Sequence, residues 1–322
     1  MLPERLSLAH LPTPLEPLPR VSRAWGGPIL WVKRDDLTGF GLSGNKVRKL
    51  EYHLAAAREA GATTVITCGA AQSNHCRATA LACARLGLEC LLLLRTPKGR
   101  PPEQVQGNYL LDRLAGAEVR FVTPAQYEEI DEMMSEEAGR LGSAWVIPEG
   151  ASDGLGMWGF VSAFEELAGQ LPAIPGRVAA IWHAASSGGT TAGLGRGAGR
   201  TGLAIPLVAV SVGDPAAQLE AKVLAIWQQA RVGTLPSVPI TYLDAYVGGG
   251  YGVTTPEELV VQAQFTRLSG LILDPTYTGK AVYALRREIE RGRFEEADQV
   301  IFWHTGGGFA AFAQQHPLAW PL

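Results

Sequence analysis

The chain alternates regularly between short apolar runs and longer helical patterns, and this order restricts its fold more than any other feature. Most of the apolar runs are continuous, which is typical of parallel strands covered by helices on both faces. Strands are predicted at residues 29–33, 64–68, 90–95, 119–122, 145–147, 178–183, 207–212, 240–246 and 300–304. Helices are predicted between them, for example at 103–114, 125–141, 215–230 and 279–291. The alternation predicts a doubly wound α/β fold.

Length and composition indicate two domains with a large core. The 322 residues are 47% hydrophobic and 18% charged, with a formal charge of −3. Such a chain is too apolar for disorder and too balanced in charge for a nucleic-acid or membrane-surface binder. The glycine-rich turn at 150–156 is a candidate crossing between domains. Residues 11–17, which hold three prolines, are expected to wrap over a surface.

Cysteine spacing and the lack of long apolar stretches predict where in the cell the protein is found. Cys68, Cys76, Cys83 and Cys90 form no C-x-x-C pair, which favours buried thiols over a metal site or a disulfide. Residues 1–10 lack a secretory signal pattern, and no run of about 18 uncharged apolar residues occurs. We therefore expect a cytoplasmic protein with no metal, nucleic-acid or membrane partner.

Five turns with unusual chemistry stand where ligands of open α/β sheets bind, beyond the carboxyl ends of strands. The first, at 42–51, leads into a helix on which Lys46 lies about 60° from the centre of the apolar face, while Arg48 and Lys49 point further away. Burial would lower the pKa of Lys46 and provide a neutral, nucleophilic amine. An ordinary solvated lysine is the alternative.

Two further turns offer hydrogen-bond donors at helix starts. Residues 69–75 include Ser73, Asn74 and His75, which form a collar suited to a carboxylate or, alternatively, a plain helix cap. Residues 185–193 are small and hydroxyl-rich, which favours a phosphate site over a plain Gly/Ser loop. Because the G-x-x-x-x-G-K-[ST] order is absent from this turn, a nucleoside triphosphate is not expected.

A dinucleotide-like pattern lies just beyond the third turn. Gly193, Gly195 and Ala198 satisfy G-x-G-x-x-[GA], and Asp214 stands at the distance of a ribose-binding acid. About ten residues separate the pattern from His183, whereas a dinucleotide motif begins directly after its strand. We interpret these glycines as helix packing.

The last two turns each place a tyrosine beside glycine. Residues 246–252 and 274–280 carry Tyr251 and Tyr277, whose phenols could relay a proton or simply pack under a loop. A phosphate cradle without a nucleotide signature, an inward-facing lysine and two loop tyrosines together predict pyridoxal phosphate. Lys46 is the best Schiff-base candidate among the six lysines.

Motifs in a fixed order extend this pattern over nearly the whole chain. They lie at residues 12–15, 33–39, 44–51, 72–75, 107–108, 147–148, 188–190, 251–253, 274–277 and 304–307. In this order they resemble the family of D-cysteine desulfhydrases and 1-aminocyclopropane-1-carboxylate deaminases. These are pyridoxal-phosphate enzymes of fold type II, the two-domain fold of the tryptophan synthase β-subunit, with open, twisted, mostly parallel sheets covered by helices.

The resemblance implies a role for each matching residue. Lys46 would form the Schiff base and shuttle the Cα proton, and one of the two tyrosines would act as acid or base for the leaving group. The other implied roles are ring-hydroxyl binding by Asn74, substrate binding by Ser73, Asn74, His75, Tyr251 and Tyr277, phosphate binding by Ser187, Gly188, Gly189 and Thr190, and further cofactor contacts by Thr278 and Thr305.

The resemblance also implies how the chain divides and assembles. Residues 1–49 and 156–322 would form a large cofactor-binding domain, and 50–155 a small domain inserted in it. A homodimer is expected on the same ground.

Two threonines indicate the reaction. The deaminases carry an acidic residue after the second tyrosine and a leucine in the final glycine-rich turn, where this chain has Thr278 and Thr305. A neutral hydroxyl leaves the cofactor ring nitrogen largely unprotonated, which suits β-elimination. We therefore expect a D-cysteine desulfhydrase that releases pyruvate, hydrogen sulfide and ammonia.

Other activities stay open at this point. Departures from the family pattern at Ser186, Ala151 and Trp158 leave an L-cysteate sulfo-lyase or another β-substituted amino acid lyase open. A 1-aminocyclopropane-1-carboxylate deaminase is the further alternative within the family. From other classes, a non-catalytic binding protein on the same scaffold and an NAD-dependent oxidoreductase are the alternatives.

Overall fold

The computed structural model describes residues 3–231, 238–296 and 298–313, which form two β-sheets surrounded by helices. The strands are β1 (Leu15–Pro17), β2 (Ile29–Arg34), β3 (Thr64–Ala70), β4 (Glu89–Arg95), β5 (Glu118–Val122), β6 (Ala144–Val146), β7 (Val178–Ala185), β8 (Leu207–Ser211), β9 (Ile240–Leu243) and β10 (Gln299–His304). The helices are α1 (Pro19–Trp25), α2 (Lys46–Glu59), α3 (Asn74–Leu86), α4 (Gly107–Leu114), α5 (Pro124–Tyr127), α6 (Ile130–Leu141), α7 (Trp158–Gln170), α8 (Gly189–Thr201), α9 (Ala216–Gln229), α10 (Pro256–Ser269) and α11 (Thr278–Glu290). Short 3-10 turns occupy Asp35–Leu37, Glu149–Ala151, Leu171–Ala173 and Gly308–Ala313.

The two sheets are built almost entirely from parallel strands. The larger has the order β1-β2-β10-β7-β8-β9, and the smaller has the order β5-β4-β3-β6. Among the described strands, β1 alone runs antiparallel to its neighbour, with Leu15 opposite Lys33 and Pro17 opposite Trp31. The predicted α/β architecture with mostly parallel sheets is therefore confirmed.

All nine predicted strands occur, and the main strand that the sequence did not predict is β1. Residues 15–17 were expected to wrap over a surface, but they pair with β2 as an edge strand. An edge strand tolerates Pro17 because one side of its backbone needs no partner. The turn at 274–280 was expected to follow a strand, yet it follows an irregular segment after α10.

Helix boundaries differ from the predictions where caps intervene. The helix predicted at 125–141 is two helices. The first begins after Thr123, which forms a capping box with Gln126. The second begins after Glu129, whose backbone departs from helical geometry at φ −107° and ψ 23°. The helix predicted at 103–114 begins only at Gly107.

Both faces of the large sheet are buried, as the continuous apolar runs predicted. On β10, Val300 and Phe302 belong to one core cluster, while Ile301 and Trp303 belong to the cluster on the opposite face. This alternation follows from the two-residue period of a strand. Burial of each such side chain contributes about 1.5–3 kcal/mol.

The state of the four cysteines and the character of the described helices can be stated directly. Cys68, Cys76, Cys83 and Cys90 are free and buried, as predicted. Among the described helices, none combines the length and the apolar character that a membrane span requires.

The strand ends of the two sheets determine where a site can form. The turns after β3 and β6 of the small sheet face the turns after β7 and β10 of the large sheet across one cavity. Helix α2 contacts both α3 and α7, so it joins the small-sheet helices to the large-sheet helices.

Candidate active site

One cavity collects side chains from all five predicted turns. Its described lining comprises Asn45, Lys46, Ser73, Asn74, His75, Glu149, Gly150, Ala184, Ala185, Ser186, Ser187, Gly188, Thr190, Thr191, Tyr251, Tyr277, Thr305 and Gly306. Every predicted site residue lies on this wall except Gly189 and Thr278. Turns that are distant in sequence therefore converge as the topology rule requires.

Lys46 is the first residue of α2 and lines the cavity. The preceding Gly44 has φ +109°, and a Cβ added there would lie 2.8 Å from the carbonyl oxygen of Thr305. Glycine at this position lets the turn pass directly against the end of β10, where Asn45 N donates to Thr305 O at 3.0 Å. Burial lowers the pKa of Lys46 to about 8, although the charges of Glu149 and Asp274 oppose this shift.

Arg48 and Lys49 were predicted to point away from the interior, and this prediction is wrong, since both are buried. Arg48 Nη2 bonds Asp35 Oδ1 at 2.8 Å and Nη1 bonds Glu166 Oε2 at 3.0 Å. The prediction assumed that α2 has one buried face. It failed because α3 and α7 both cover α2, so little of the helix surface is left for solvent.

Lys49 lies behind the turn that follows β7. Its Nζ donates to Ser152 Oγ at 2.8 Å and to Gly150 O at 3.1 Å. Burial, together with the neighbouring charge of Lys46, holds the pKa of Lys49 well below its usual value. An anion bound nearby would favour the charged ammonium form.

The turn after β7 has the geometry of a phosphate cradle. Helix α8 begins at Gly189, and Gly188 before it has φ +83°. A Cβ added at Gly189 would lie 2.7 Å from both Lys49 Nζ and Ser152 Oγ, so only glycine fits. Ser187 Oγ lies 2.7 Å from Ser152 Oγ. Hydroxyls, free backbone N–H groups at a helix start and a nearby lysine match the chemistry of a phosphate group.

The turn after β3 orients Ser73 and Asn74. Ser73 caps α3, because its Oγ accepts a hydrogen bond from Cys76 N at 3.2 Å. The helix-cap alternative considered for this turn therefore holds for Ser73. Asn74 Oδ1 accepts from Asn108 Nδ2 at 2.9 Å, which fixes the orientation of its amide. The Asn74 side chain can then present its amide hydrogens to an acceptor in the cavity.

His75 is buried and its tautomer follows from its neighbours. Thr67 Oγ1 donates to the carbonyl of Ile147 at 2.7 Å and lies 2.7 Å from His75 Nε2, so Nε2–H is the donor to Thr67. Burial and the charges of Lys46 and Lys49 hold the pKa of His75 well below its usual value, so the ring is neutral. Its Nδ1 has no partner among the described residues and is a free acceptor.

Tyr251 and Tyr277 form a pair at the cavity, with hydroxyl oxygens 2.6 Å apart. Burial raises the pKa of Tyr251 to about 12 and raises that of Tyr277 well above its usual value. Both phenols are therefore protonated at neutral pH, and one of them has a hydrogen available for a ligand.

Thr278 and Thr305 are placed differently from each other. Thr305 lines the cavity, whereas Thr278 lies just outside the wall, where its Oγ1 donates to Asp274 Oδ1 at 2.7 Å. Asp274 also accepts from the backbone N–H groups of Tyr277 and Thr278, each at 2.8 Å. This arrangement fixes the start of α11 and with it the position of Tyr277.

The dinucleotide-like glycines pack one helix against another, as interpreted from the sequence. A Cβ added at Gly193 would lie 2.4 Å from Phe160 Cβ. Gly197 lies within the pattern without being one of its defining positions, and a Cβ there would lie 2.5 Å from Phe164 Cβ. Both glycines let α8 approach α7 closely.

Two residues near the cavity were not identified from the sequence. Lys49 is one turn along α2 from Lys46, a spacing that places two residues on one side of a helix. Glu149 lines the cavity just after β6, and its position beyond a predicted parallel strand was the available signal.

Comparison with known proteins defines the class. Residues 6–306 match the family model described as pyridoxal-phosphate dependent enzyme, and the chain belongs to this family. It is 41% identical to a Thermotoga maritima protein provisionally named as a 1-aminocyclopropane-1-carboxylate deaminase, over 98% of this chain and 99% of that one. It is also 39% identical to a D-cysteine desulfhydrase of Klebsiella pneumoniae, over 97% and 96% of the two chains.

A solved structure agrees with this assignment. The crystal structure of an ACC deaminase homologue superposes with a TM-score of 0.84 at 36% identity, covering 97% of this chain and 94% of that one. The protein is thus a pyridoxal-phosphate-dependent lyase of fold type II. The predicted cofactor, enzyme class and family are confirmed.

Proposed function

We propose that the protein is a D-cysteine desulfhydrase, which converts D-cysteine and water to pyruvate, hydrogen sulfide and ammonia. The proposal is carried by two neutral hydroxyls, that of Thr305, which lines the cavity, and that of Thr278, which lies just outside its wall and donates to Asp274. By the family resemblance they stand where the deaminases have a leucine and an acid. A neutral partner favours loss of a β-substituent over opening of a cyclopropane ring, which needs a stronger electron sink. The desulfhydrase relative from Klebsiella pneumoniae supports the same reaction.

The residues of the cradle are suited to hold the cofactor phosphate. The phosphate oxygens would accept hydrogen bonds from Ser187, Thr190 and the first N–H groups of α8. The ammonium of Lys49, which bonds Ser152, would balance the negative charge of the phosphate. Asn74 would donate to the ring hydroxyl. When bound, pyridoxal phosphate supplies an electron sink for the electron pair left on Cα after deprotonation.

The proton transfers are assigned to three side chains. Lys46, with a pKa of about 8, has a substantial neutral fraction near neutral pH and would remove the Cα proton. The Tyr251 and Tyr277 pair, protonated at this pH, would donate a hydrogen to the departing sulfur. Ser73 and the N–H groups at the start of α3 would orient the substrate carboxylate.

The chain's division and assembly form part of the proposal. Residues 1–49 and 156–322 would make the large domain and 50–155 the small one, a division supported by the membership of β3–β6 in a separate sheet. A homodimer is proposed from the family resemblance, and a cytoplasmic location from the four buried, unpaired cysteines.

Release of pyruvate and of sulfide tests the reaction. The holoenzyme is assayed with D-cysteine, L-cysteine, L-cysteate and 1-aminocyclopropane-1-carboxylate. We expect D-cysteine to give equal amounts of pyruvate and sulfide with the highest kcat/KM. Turnover of the cyclopropane substrate alone would refute the proposal in favour of the deaminase, the activity provisionally assigned to the Thermotoga maritima relative.

A further inference from the structure

The cavity wall contains very few charged groups. Among its described lining residues, Lys46 and Glu149 alone carry side chains that are charged near neutral pH, since His75 is held neutral by burial. In the proposed function Lys46 is bonded to the cofactor when a substrate first enters the cavity, so its ammonium does not then balance a second charge. Glu149 is then the charge that a bound substrate meets.

The backbone places Glu149 at the junction of the two sheets. It follows β6 of the small sheet and precedes Gly150, whose φ is +68°. A Cβ added at Gly150 would lie 2.6 Å from Ser187 Oγ, so this turn is packed against the phosphate cradle of the large sheet. Glu149 is held at the cavity by this close contact.

The carboxylate of Glu149 has no hydrogen-bond or ion-pair partner among the residues that the structure describes. The residue is exposed and lines the cavity. Its charge acts across the cavity. Together with Asp274 it opposes the lowering of the Lys46 pKa by burial, and it adds to the rise that burial causes in the pKa of Tyr251 and Tyr277. The residues proposed to flank the substrate side chain are therefore within its field.

We propose that Glu149 is a specificity-determining residue, which repels amino acids with an anionic side chain and accepts those with a neutral or positively charged one. The inference rests on the proposed function, because it assumes that an amino acid occupies the cavity. It narrows the substrate class to neutral or cationic β-substituents and argues against cysteate. Two unit charges several ångströms apart in a partly solvated cleft change an equilibrium constant by about tenfold.

Three amino acids of similar size but different charge test the proposal. Aspartate, asparagine and 2,3-diaminopropionate, each as both enantiomers, are titrated into the holoenzyme, and dissociation constants are read from the cofactor absorption. The same titrations use Glu149→Gln, Glu149→Lys and a control, Glu89→Gln, which changes an exposed carboxylate at the start of β4. The kcat/KM ratio of cysteate to cysteine gives a second readout.

The wild type is expected to bind asparagine about tenfold more tightly than aspartate. Glu149→Gln should bring the two affinities close together, Glu149→Lys should favour aspartate, and Glu89→Gln should leave the wild-type ratio. The inference would be overturned if the ratio of the dissociation constants for aspartate and asparagine were near one in the wild type, or if this ratio were unchanged in Glu149→Gln. Either result would leave the proposed function intact. If no amino acid, D-cysteine included, perturbs the cofactor absorption or is turned over, the proposed function fails, and the inference fails with it.

Discussion

The hydroxyl oxygens of Tyr251 and Tyr277 lie 2.6 Å apart, and their rings meet edge to face with centroids 5.8 Å apart. The pair joins the turn after β9 to the start of α11, so two distant segments position one shared hydrogen. In such a pair one phenol donates to the other, and the second keeps its own hydrogen for a ligand.

Removing the hydroxyl that faces the leaving group should slow the reaction strongly. We expect one of Tyr251→Phe and Tyr277→Phe to lower kcat/KM for D-cysteine by about 10²–10⁴-fold, and the other to have a smaller effect because it only orients its partner. Steady-state sulfide release measures both. Tyr283→Phe, which changes a ring packed on Tyr246, is the control. Losses below about threefold in both variants would contradict a role in proton transfer.

The lowered pKa of Lys46 predicts the pH dependence of cofactor attachment. Only the neutral amine can attack the aldehyde of pyridoxal phosphate, and its fraction rises with pH up to about 8 and then levels off. The rate constant for reconstitution of apoprotein should therefore rise about tenfold per pH unit below that value. Stopped-flow absorbance at several pH values measures it. A rate that keeps rising towards pH 10 would contradict the lowered pKa.

A lysine variant identifies the attachment point. Lys46→Ala should lack the yellow cofactor chromophore and retain no cofactor after borohydride treatment, whereas Lys98→Ala, at an exposed lysine, should behave as the wild type.

Lys49 should determine how tightly the cofactor phosphate is held. Lys49→Met removes the charge but keeps much of the side-chain volume, and we expect cofactor affinity to fall about 10–100-fold. Fluorescence titration of the apoprotein with pyridoxal phosphate measures this change. Pyridoxal, which lacks the phosphate, should bind wild type and variant equally. An equal loss for both compounds would show that Lys49 acts on the fold instead.

The buried ion cluster beneath α2 should stabilise the fold. Glu166 bonds both Arg48 and Lys33, so Glu166→Gln leaves two buried cations poorly balanced and should cost about 3–5 kcal/mol of unfolding free energy. Glu165→Gln is the matched control, because its partner Arg200 is at the surface and such pairs contribute about 0–1 kcal/mol. Denaturant unfolding compares the two, and equal effects would contradict the assignment.

The same cluster predicts a loss of stability in acid. Arg48 and Lys33 lower the pKa of Glu166 against the opposing effect of burial. A lowered carboxyl pKa contributes stability above the unfolded-state value of about 4.3, and this contribution is lost as pH falls through the folded-state pKa. Glu166→Gln should therefore reduce the slope of stability against pH in that range.

The sequence predicted the sheet architecture well because buried parallel strands leave a local signal. The sequences of β4 and β10 are apolar on both faces of the strand. Such strands can be recognised from their own residues, without knowledge of the adjoining turns or of tertiary contacts. Edge strand β1 left no such signal, since three residues containing a proline resemble a loop.

Cavity residues could be predicted where a turn directly follows a strand. They were harder to predict where their position depends on the packing of two elements that are distant in sequence. Lys46 and the turn after β7 were found by this rule. Lys49 was placed on the wrong side because helix periodicity describes one buried face, whereas α2 is enclosed by two neighbours. Gly150 comes against Ser187 only through the packing of one sheet against the other, which no local pattern reports.

The phosphate cradle draws its parts from both sheets. Ser187 follows β7 of the large sheet, whereas Ser152 follows β6 of the small sheet and is held by Lys49 of α2. A phosphate bound between them would add contacts that connect the two sheets. Cofactor affinity and folding stability are then linked quantities, because whatever loosens the junction of the sheets also weakens cofactor binding, and loss of the cofactor weakens the junction.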